Sequence, residues 1–297
     1  MNQTIYPIGI QNFEKIRKDG YLYIDKTALI YQLAKTGSYY FLSRPRRFGK
    51  SLLLSTIEAY ALGKKDLFKG LALEKLERDW TVYPVLHLDL NTQKYDTPES
   101  LTNVLEENVQ NWEALYGSSS GEIGVARRFQ GIIRRACEQT GRRVVILIDE
   151  YDKPMLQAIG NEALQNEYRS TLKAFYGALK SMDGCIRFAL LTGVTKFGKV
   201  SVFSDLNNLR DISMIDQYAE ICGISEKEIH TCFEEDIHEL AAATGMSYEE
   251  TCKELKTNYD GYHFTENAIG MYNPFSLLNT FRSLEFGSYW FETPPTL

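Results

Sequence analysis

The sequence predicts an α/β fold: a doubly wound, mainly parallel sheet, followed by a small and mainly helical lid. Four apolar, β-prone runs alternate with helical patterns, at residues 39–42, 82–90, 143–148 and 185–192. This alternation is typical of a parallel sheet with helices on both faces. The third run is apolar at every position from 144 to 148, which indicates a strand buried on both faces. After Gly193 the strand signal fades, and residues 203–215 are predicted to be irregular.

A domain boundary is predicted near residue 216. Residues 1–215 would form the core with its N-terminal lead-in segment, and residues 216–297 the lid. Capping-box patterns that begin at Ser225 and Ser247 mark helix starts in the second part. In the lead-in, Asp25 is the predicted N-cap of the first long helix.

Composition excludes several classes of protein. The chain has 297 residues, 44% hydrophobic and 24% charged, which is ordinary for a globular protein with a core. No signal peptide or apolar run of membrane-spanning length is present, so a cytoplasmic location without membrane contact is expected. Five scattered cysteines favour reduced thiols over disulfides or zinc ligands. A net charge of −6 argues against a surface that binds nucleic acid throughout.

The triplet Gly49-Lys50-Ser51 lies between the first predicted strand and a helix, as in a phosphate-binding loop (Walker A). Arg44 stands where that pattern has its first glycine, and Pro45 would fix part of the turn instead. Arg44 is expected either to turn away from the phosphates or to clamp them. Lys50 would contact the β- and γ-phosphates, and Ser51 would bind Mg²⁺. The residues predicted to bind the nucleotide are Arg46, Arg47, Phe48, Gly49, Lys50, Ser51 and Leu52.

The third strand ends in Asp149-Glu150, which matches the Walker B pattern. It places two carboxylates at the C-terminal edge of a central strand, where open α/β sheets bind ligands. Asp149 would hold Mg²⁺, and Glu150 would orient and deprotonate the attacking water. The alternative is a strand that ends in a solvated acidic turn.

Three further side chains are weaker candidates. Thr192, at the end of the fourth strand, would contact the γ-phosphate or the water if that strand lies between the other two; Thr195 is its rival. Arg210 would stabilise phosphate charge, in its own chain or in a neighbour, although most loop arginines are solvated. Asp89 ends the second strand and would assist at the magnesium site or cap a turn.

Seven segments together resemble a known family. They are residues 7–13, 23–27 (Tyr-Ile-Asp-Lys-Thr), 44–51 (Arg-Pro-Arg-Arg-Phe-Gly-Lys-Ser), 148–152 (Ile-Asp-Glu-Tyr-Asp), 191–197, 206–209 and 272–276 (Tyr-Asn-Pro-Phe-Ser). The chain resembles the bacterial AAA-ATPase-like family over essentially its whole length. The resemblance implies an AAA+-related P-loop NTPase core and a helical lid that could be winged-helix-like. It also implies that Arg44 belongs to the family's ordinary form of the loop.

Members of that family commonly continue into a C-terminal domain that resembles restriction-type nucleases. No paired-carboxylate-plus-lysine site of that kind can be placed in this sequence. We therefore expect either a fragment of a longer protein or a naturally short one.

The leading hypothesis is an ATP-binding, Mg²⁺-dependent and ATP-hydrolysing molecular switch. The alternative is a non-hydrolysing, nucleotide-dependent interaction module whose lid binds a protein or DNA partner. A P-loop kinase is a weaker third hypothesis, because the Asp-Glu pair favours water as the phosphate acceptor. An arginine finger in trans would require a homo-oligomer.

Overall fold

A computed structural model of the chain describes residues 4–195, 208–265 and 270–289. Its main sheet has five parallel strands in the order β2-β3-β4-β1-β5. The strands are β1 (Tyr39–Ser43), β2 (Val85–Asp89), β3 (Val144–Asp149), β4 (Ile186–Gly193) and β5 (Arg210–Asp211). The predicted α/β class and parallel sheet are therefore confirmed.

Twelve α-helices accompany the strands in the described residues. They are α1 (Phe13–Lys18), α2 (Thr27–Thr36), α3 (Lys50–Ala61), α4 (Ala72–Leu76), α5 (Pro98–Tyr116), α6 (Val125–Thr140), α7 (Lys153–Gln157), α8 (Glu162–Ser181), α9 (Glu226–Cys232), α10 (Glu234–Thr244), α11 (Tyr248–Tyr259) and α12 (Pro274–Ser283).

Helices cover both faces of the sheet because alternate residues of each strand point to opposite faces. Ile146 and Ile148 of β3 pack in one core with apolar residues of α5, α6 and α8. Val145 and Leu147 pack in the other with residues of α2 and α3. All six residues of β3 are buried, as its unbroken apolar run predicts.

The prediction that residues 203–215 are irregular is wrong at Arg210–Asp211, which pairs with Tyr40 and Phe41 as edge strand β5. Residues 203–207 lie outside the described part of the chain. β5 consists of two exposed, charged residues, which carry no periodic hydrophobic signal. It is recognised as a strand only by its pairing with β1. The predicted N-cap of α2 is wrong by one residue: Lys26 occupies the N-cap position, without a side-chain cap. Asp25 lies one residue before it, and its Oδ1 accepts a hydrogen bond from the Thr27 N–H at 2.8 Å.

The C-terminal region is helical, as predicted, and also contains a small antiparallel sheet. Its strands are β6 (Ile224–Ser225), β7 (Asp260–Tyr262) and β8 (Met271–Tyr272), in the order β6-β8-β7. The order along the chain is β6, α9, α10, α11, β7 and β8. This order is compatible with the winged-helix-like lid that the resemblance implies. The domain boundary near residue 216 stays a prediction.

Within the described residues, no helix is both long enough and apolar enough to cross a membrane.

Candidate active site

The loop after β1, residues 44–49, carries the backbone geometry that a phosphate loop needs. Gly49 is left-handed (φ 89°, ψ 19°) and occupies the N-cap position of α3, where no side chain caps the helix. The first N–H groups of α3 are therefore left for another acceptor, and a helix N-terminus favours an anion. Arg47 is also left-handed, with φ 65°. Such backbone costs about 1–3 kcal/mol for a residue other than glycine and is typical of functional loops.

A cleft of about 1390 Å³ lies beside this loop, at the C-terminal edge of the sheet. Most of the predicted nucleotide-binding residues line it: Arg46, Arg47, Gly49, Lys50, Ser51 and Leu52. Glu150 and Lys153 form another wall, residues 7–11 of the lead-in a third, and Pro274 of α12 belongs to a fourth. The core, the lead-in and the C-terminal region thus meet around one site.

Lys50 is buried, and three oxygens surround its ammonium group. Its Nζ donates to the carbonyls of Arg44 at 3.1 Å and Pro45 at 3.3 Å, and lies 3.1 Å from Glu150 Oε1. The structure thereby joins the loop lysine directly to the second acid of the β3 pair. Burial raises the pKa of Glu150, while Lys50 acts in the opposite direction. Glu150 also has left-handed backbone, with φ 52°.

Asp149 is held by two donors on one of its carboxylate oxygens. Its Oδ1 accepts hydrogen bonds from Thr192 Oγ1 at 2.6 Å and from the Glu150 N–H at 3.0 Å. Oδ2 accepts no hydrogen bond from any described residue. Strand β4 lies between β1 and β3 in the sheet. Thr192, near the end of β4, therefore lies between the loop after β1 and the acidic pair after β3. Its rival Thr195 donates instead to Asp152, at 2.5 Å.

Replacing Thr192 with valine is expected to lower the free energy of unfolding by about 1–2 kcal/mol, because a buried carboxylate loses a donor without any change in volume. Urea unfolding of the variant measures this effect. Thr257→Val, on the exposed surface of α11, is the matched control and should change stability by less than about 0.5 kcal/mol. An equal loss in both variants would mean that the bond to Asp149 contributes nothing.

Arg44 turns away from the cleft. Its side chain is 1% exposed, and its guanidinium donates to the carbonyls of Ser213 at 2.8 Å and Tyr218 at 3.2 Å. The guanidinium carbon lies 3.9 Å from the ring centre of Phe264 in the C-terminal region. Burial lowers the pKa of Arg44 to about 10. Of the two predicted orientations, the structure has the one directed away from the cleft.

Phe48 and Arg47 also contact the C-terminal region. The buried ring of Phe48 lies 4.6 Å from that of Tyr262 between centres. Phe48, which was predicted to bind the nucleotide, does not line this cleft but lines an apolar pocket that adjoins it. The Phe48 carbonyl accepts the Gly223 N–H at 3.1 Å. The Arg47 guanidinium lies 4.0 Å from the ring centre of Phe275. Three side chains of the loop are therefore held by residues after position 212.

Of the predicted site residues, Asp149, Thr192 and Phe48 lie next to the loop or the acidic pair but are not among the residues that line the cleft. Arg210 and Asp89 do not line it either. Arg210 is exposed in β5 and pairs with Tyr40, three residues before the end of β1. Asp89 lies in register with Asp149, but its Oδ1 accepts the Asn91 N–H at 2.7 Å, which is a turn-capping contact. Burial raises the pKa of Asp89.

Sequence reasoning missed Asn91 and Lys153, which line the cleft. Lys153 Nζ donates to both oxygens of Asn91, at 3.3 Å for the backbone carbonyl. Burial lowers the pKa of this lysine. Its place three residues after Glu150 was the only signal in the sequence.

A second, apolar pocket of about 650 Å³ adjoins the cleft. Its lining shares Pro7, Gly49 and Leu52 with the cleft and adds Tyr23 of the lead-in and Ile221. The site therefore combines a basic cleft with an apolar extension.

In the described part of the chain, no group of three or more His, Cys, Asp or Glu side chains is placed to hold a metal ion. Ser51 and Asp149 remain the predicted metal ligands.

Comparison with known proteins shows the family of this chain. The sequence model of a family described as predicted AAA-ATPase matches residues 7–203. An uncharacterized protein encoded in the vnfD 5′ region of Azotobacter chroococcum mcd 1 is 40% identical over 295 residues, which cover 99% of this chain. The chain spans 55% of the length of that relative. It belongs to the AAA-ATPase-like family of predicted AAA-ATPases.

Proposed function

We propose that the protein binds ATP together with Mg²⁺, hydrolyses it, and passes the state of the site to its C-terminal region as a molecular switch. The observation that carries this proposal is the contact between Lys50 of the loop and Glu150 at the end of β3. It unites the glycine-lysine-serine loop with the acidic pair, although a hundred residues separate them in sequence.

Phosphate binding would use the basic wall of the cleft. Arg46 is exposed there, Lys50 is buried beside it, and the uncapped N-terminus of α3 adds its N–H groups. An incoming phosphate would replace Glu150 as the partner of the Lys50 ammonium. Charge-assisted hydrogen bonds of this kind are about twice as strong as neutral ones.

Ser51 and Asp149 would suit magnesium. Mg²⁺ prefers oxygen ligands and usually takes one or two from the protein, with waters and phosphate oxygens completing the shell. Asp149 Oδ2, which accepts no hydrogen bond from the described residues, and the Ser51 hydroxyl would supply them. The ion would neutralise phosphate charge. Thr192 would fix the orientation of the Asp149 carboxylate through their 2.6 Å bond.

Glu150 would position the attacking water and accept its proton. Burial raises its pKa, which brings the carboxyl closer to the range in which a general base is efficient. The release of Lys50 to the phosphates would free this carboxylate for the water. The same contact would thus couple nucleotide binding to activation of the base.

The apolar pocket beside the cleft would accept the nucleotide base. Its walls come from Tyr23, Leu52 and Ile221, and an apolar pocket with few polar groups is typical of sites for small organic ligands. The lead-in segment would lie across the base, because it lines both the pocket and the cleft.

Movement of the loop would reach the C-terminal region through Arg44, Arg47 and Phe48. Each of these side chains packs on residues that follow position 212. A shift of the loop would therefore change its contacts with the C-terminal region as well as those in the cleft. This coupling is the basis for proposing a switch.

Replacing Lys50 with alanine tests nucleotide binding. Loss of the ammonium is expected to weaken ATP·Mg²⁺ binding at least about 100-fold, because no other described residue occupies its position beside the loop carbonyls. Isothermal titration measures the dissociation constant. Lys65→Ala, an exposed lysine outside the cleft, is the matched control and should bind like wild type. Absence of binding to the wild-type protein would end the proposal.

The rival function is an interaction module that binds nucleotide without hydrolysing it. The charge distribution disfavours DNA as its partner, because residues 216–297 contain 15 acidic and 4 basic side chains. Such a surface repels a phosphate backbone and suits a basic protein surface. This rival predicts that hydrolysis is absent in the wild-type protein as well as in variants of Glu150.

A further inference from the structure

We propose that Lys153 supplies, from within the same chain, the positive charge that stabilises the γ-phosphate during hydrolysis. This inference rests on the proposed function and assigns a role in it that an arginine finger would otherwise fill. Lys153 begins α7, and its N–H donates to the Glu150 carbonyl at 3.0 Å. The lysine is therefore fixed within one turn of the residue that would activate the water.

Four basic side chains of the described residues line the cleft: Arg46, Arg47, Lys50 and Lys153. Two of them already have charged or aromatic partners, since Lys50 lies beside Glu150 and the Arg47 guanidinium lies over Phe275. Lys153 contacts only the neutral oxygens of Asn91 and no described carboxylate within ion-pair distance. Its charge is available to an anionic ligand.

The position of Lys153 suits the terminal phosphate. Arg46 follows β1 and Lys153 follows β3, with the end of β4 between them. Two strand spacings of about 4.8 Å each separate β1 from β3, the strands from which these two segments leave. A triphosphate held by the loop at one end would thus extend towards the lysine at the other. The charged groups that influence the Lys153 ammonium are Glu150, Arg46 and Asp89.

Asn91 would act as a positioning residue. It holds the ammonium at the rim of the cleft by hydrogen bonds to a neutral amide, which an anionic phosphate oxygen can replace because charge-assisted bonds are stronger. The four-carbon stem of lysine allows this movement without any change in the backbone.

The alternative source of this charge is an arginine from a second copy of the chain. Arg210, the candidate from sequence, is exposed on the edge strand and does not line the cleft. A finger in trans would make hydrolysis depend on protein concentration, whereas Lys153 would act in a single chain. The two sources are therefore separable by experiment.

The test compares Lys153→Ala, Lys153→Arg and the control Lys180→Ala, which removes an exposed lysine from α8. Dissociation constants for ATP·Mg²⁺ and ADP·Mg²⁺ are measured by titration, and hydrolysis by phosphate release. We expect Lys153→Ala to weaken ATP binding about tenfold and ADP binding less than about twofold, since only ATP has the γ-phosphate. Turnover should fall about 100-fold, a smaller loss than the roughly 10³–10⁵-fold loss that follows removal of an arginine finger.

Lys153→Arg should retain most of the preference for ATP over ADP because it keeps the charge, and Lys180→Ala should match wild type. Wild-type specific activity should stay constant on dilution. Unchanged ATP preference and turnover in Lys153→Ala would overturn the role of Lys153 and leave the proposed function intact. Specific activity that rises with protein concentration would assign the charge to a second copy. A wild-type protein that binds neither nucleotide would overturn both.

Discussion

Replacing Glu150 with glutamine is expected to reduce ATP hydrolysis by about 10²–10⁴-fold, because the amide cannot accept a proton from the attacking water. ATP binding should be retained. In the structure Glu150 Oε1 lies 3.1 Å from Lys50 Nζ, so this carboxylate would compete with bound phosphates for the lysine. The uncharged amide competes less, and the dissociation constant for ATP is expected to stay equal or to fall.

Phosphate release under saturating ATP measures the loss of turnover, and isothermal titration the affinity. Glu138→Gln, which removes an equal charge from the exposed surface of α6, is the matched control and should hydrolyse ATP like wild type. Tight binding without turnover in Glu150→Gln distinguishes a hydrolase from a binding module. Equal turnover in Glu150→Gln and wild type would exclude Glu150 as the base.

Replacing Arg44 with glycine restores the usual first glycine of a phosphate loop, yet the structure predicts damage. The side chain is 1% exposed and donates to the carbonyls of Ser213 and Tyr218. Glycine would leave these acceptors without their donor and open a cavity against Phe264. We expect the free energy of unfolding to fall by about 3 kcal/mol. For a chain of this size the melting temperature should drop by about 5 °C.

Calorimetry measures the shift, and Arg46→Gly is the matched control. Arg46 lies two residues further along the same loop but is exposed, so its replacement should cost less than about 1 kcal/mol. An Arg44→Gly variant as stable as wild type would show that the buried guanidinium is not needed to hold the loop against the C-terminal region.

The sheet was predictable because its strands carry strong local signals. The run at residues 144–148 is long and apolar, and it is followed by two acids, so its place in the interior of the sheet and the position of the carboxylates follow together. Strand β5 was not predictable. It consists of two exposed, charged residues, and its conformation depends on pairing with Tyr40 and Phe41 of β1.

Within the site, the sequence alone determined the residue types and the ends of the strands that carry them. Few local structures are compatible with glycine, lysine and serine at the start of a helix, or with two acids at the end of an apolar strand. Which side chains meet was decided only by the tertiary structure. The order of the strands places Thr192 between the loop and Asp149, a fact that no local pattern contains.

Arg44 is the clearest example of a residue whose type is evident from the sequence but whose contacts depend on the tertiary structure. The sequence places a basic residue where glycine is usual, and it allows either a phosphate clamp or a side chain turned away. The structure decides between them, because Ser213, Tyr218 and Phe264 come from distant parts of the chain to enclose the guanidinium. Lys153 faces the cleft for a similar reason: Asn91, at the end of another strand, holds it there. Contacts between remote segments depend on packing, which local sequence does not encode.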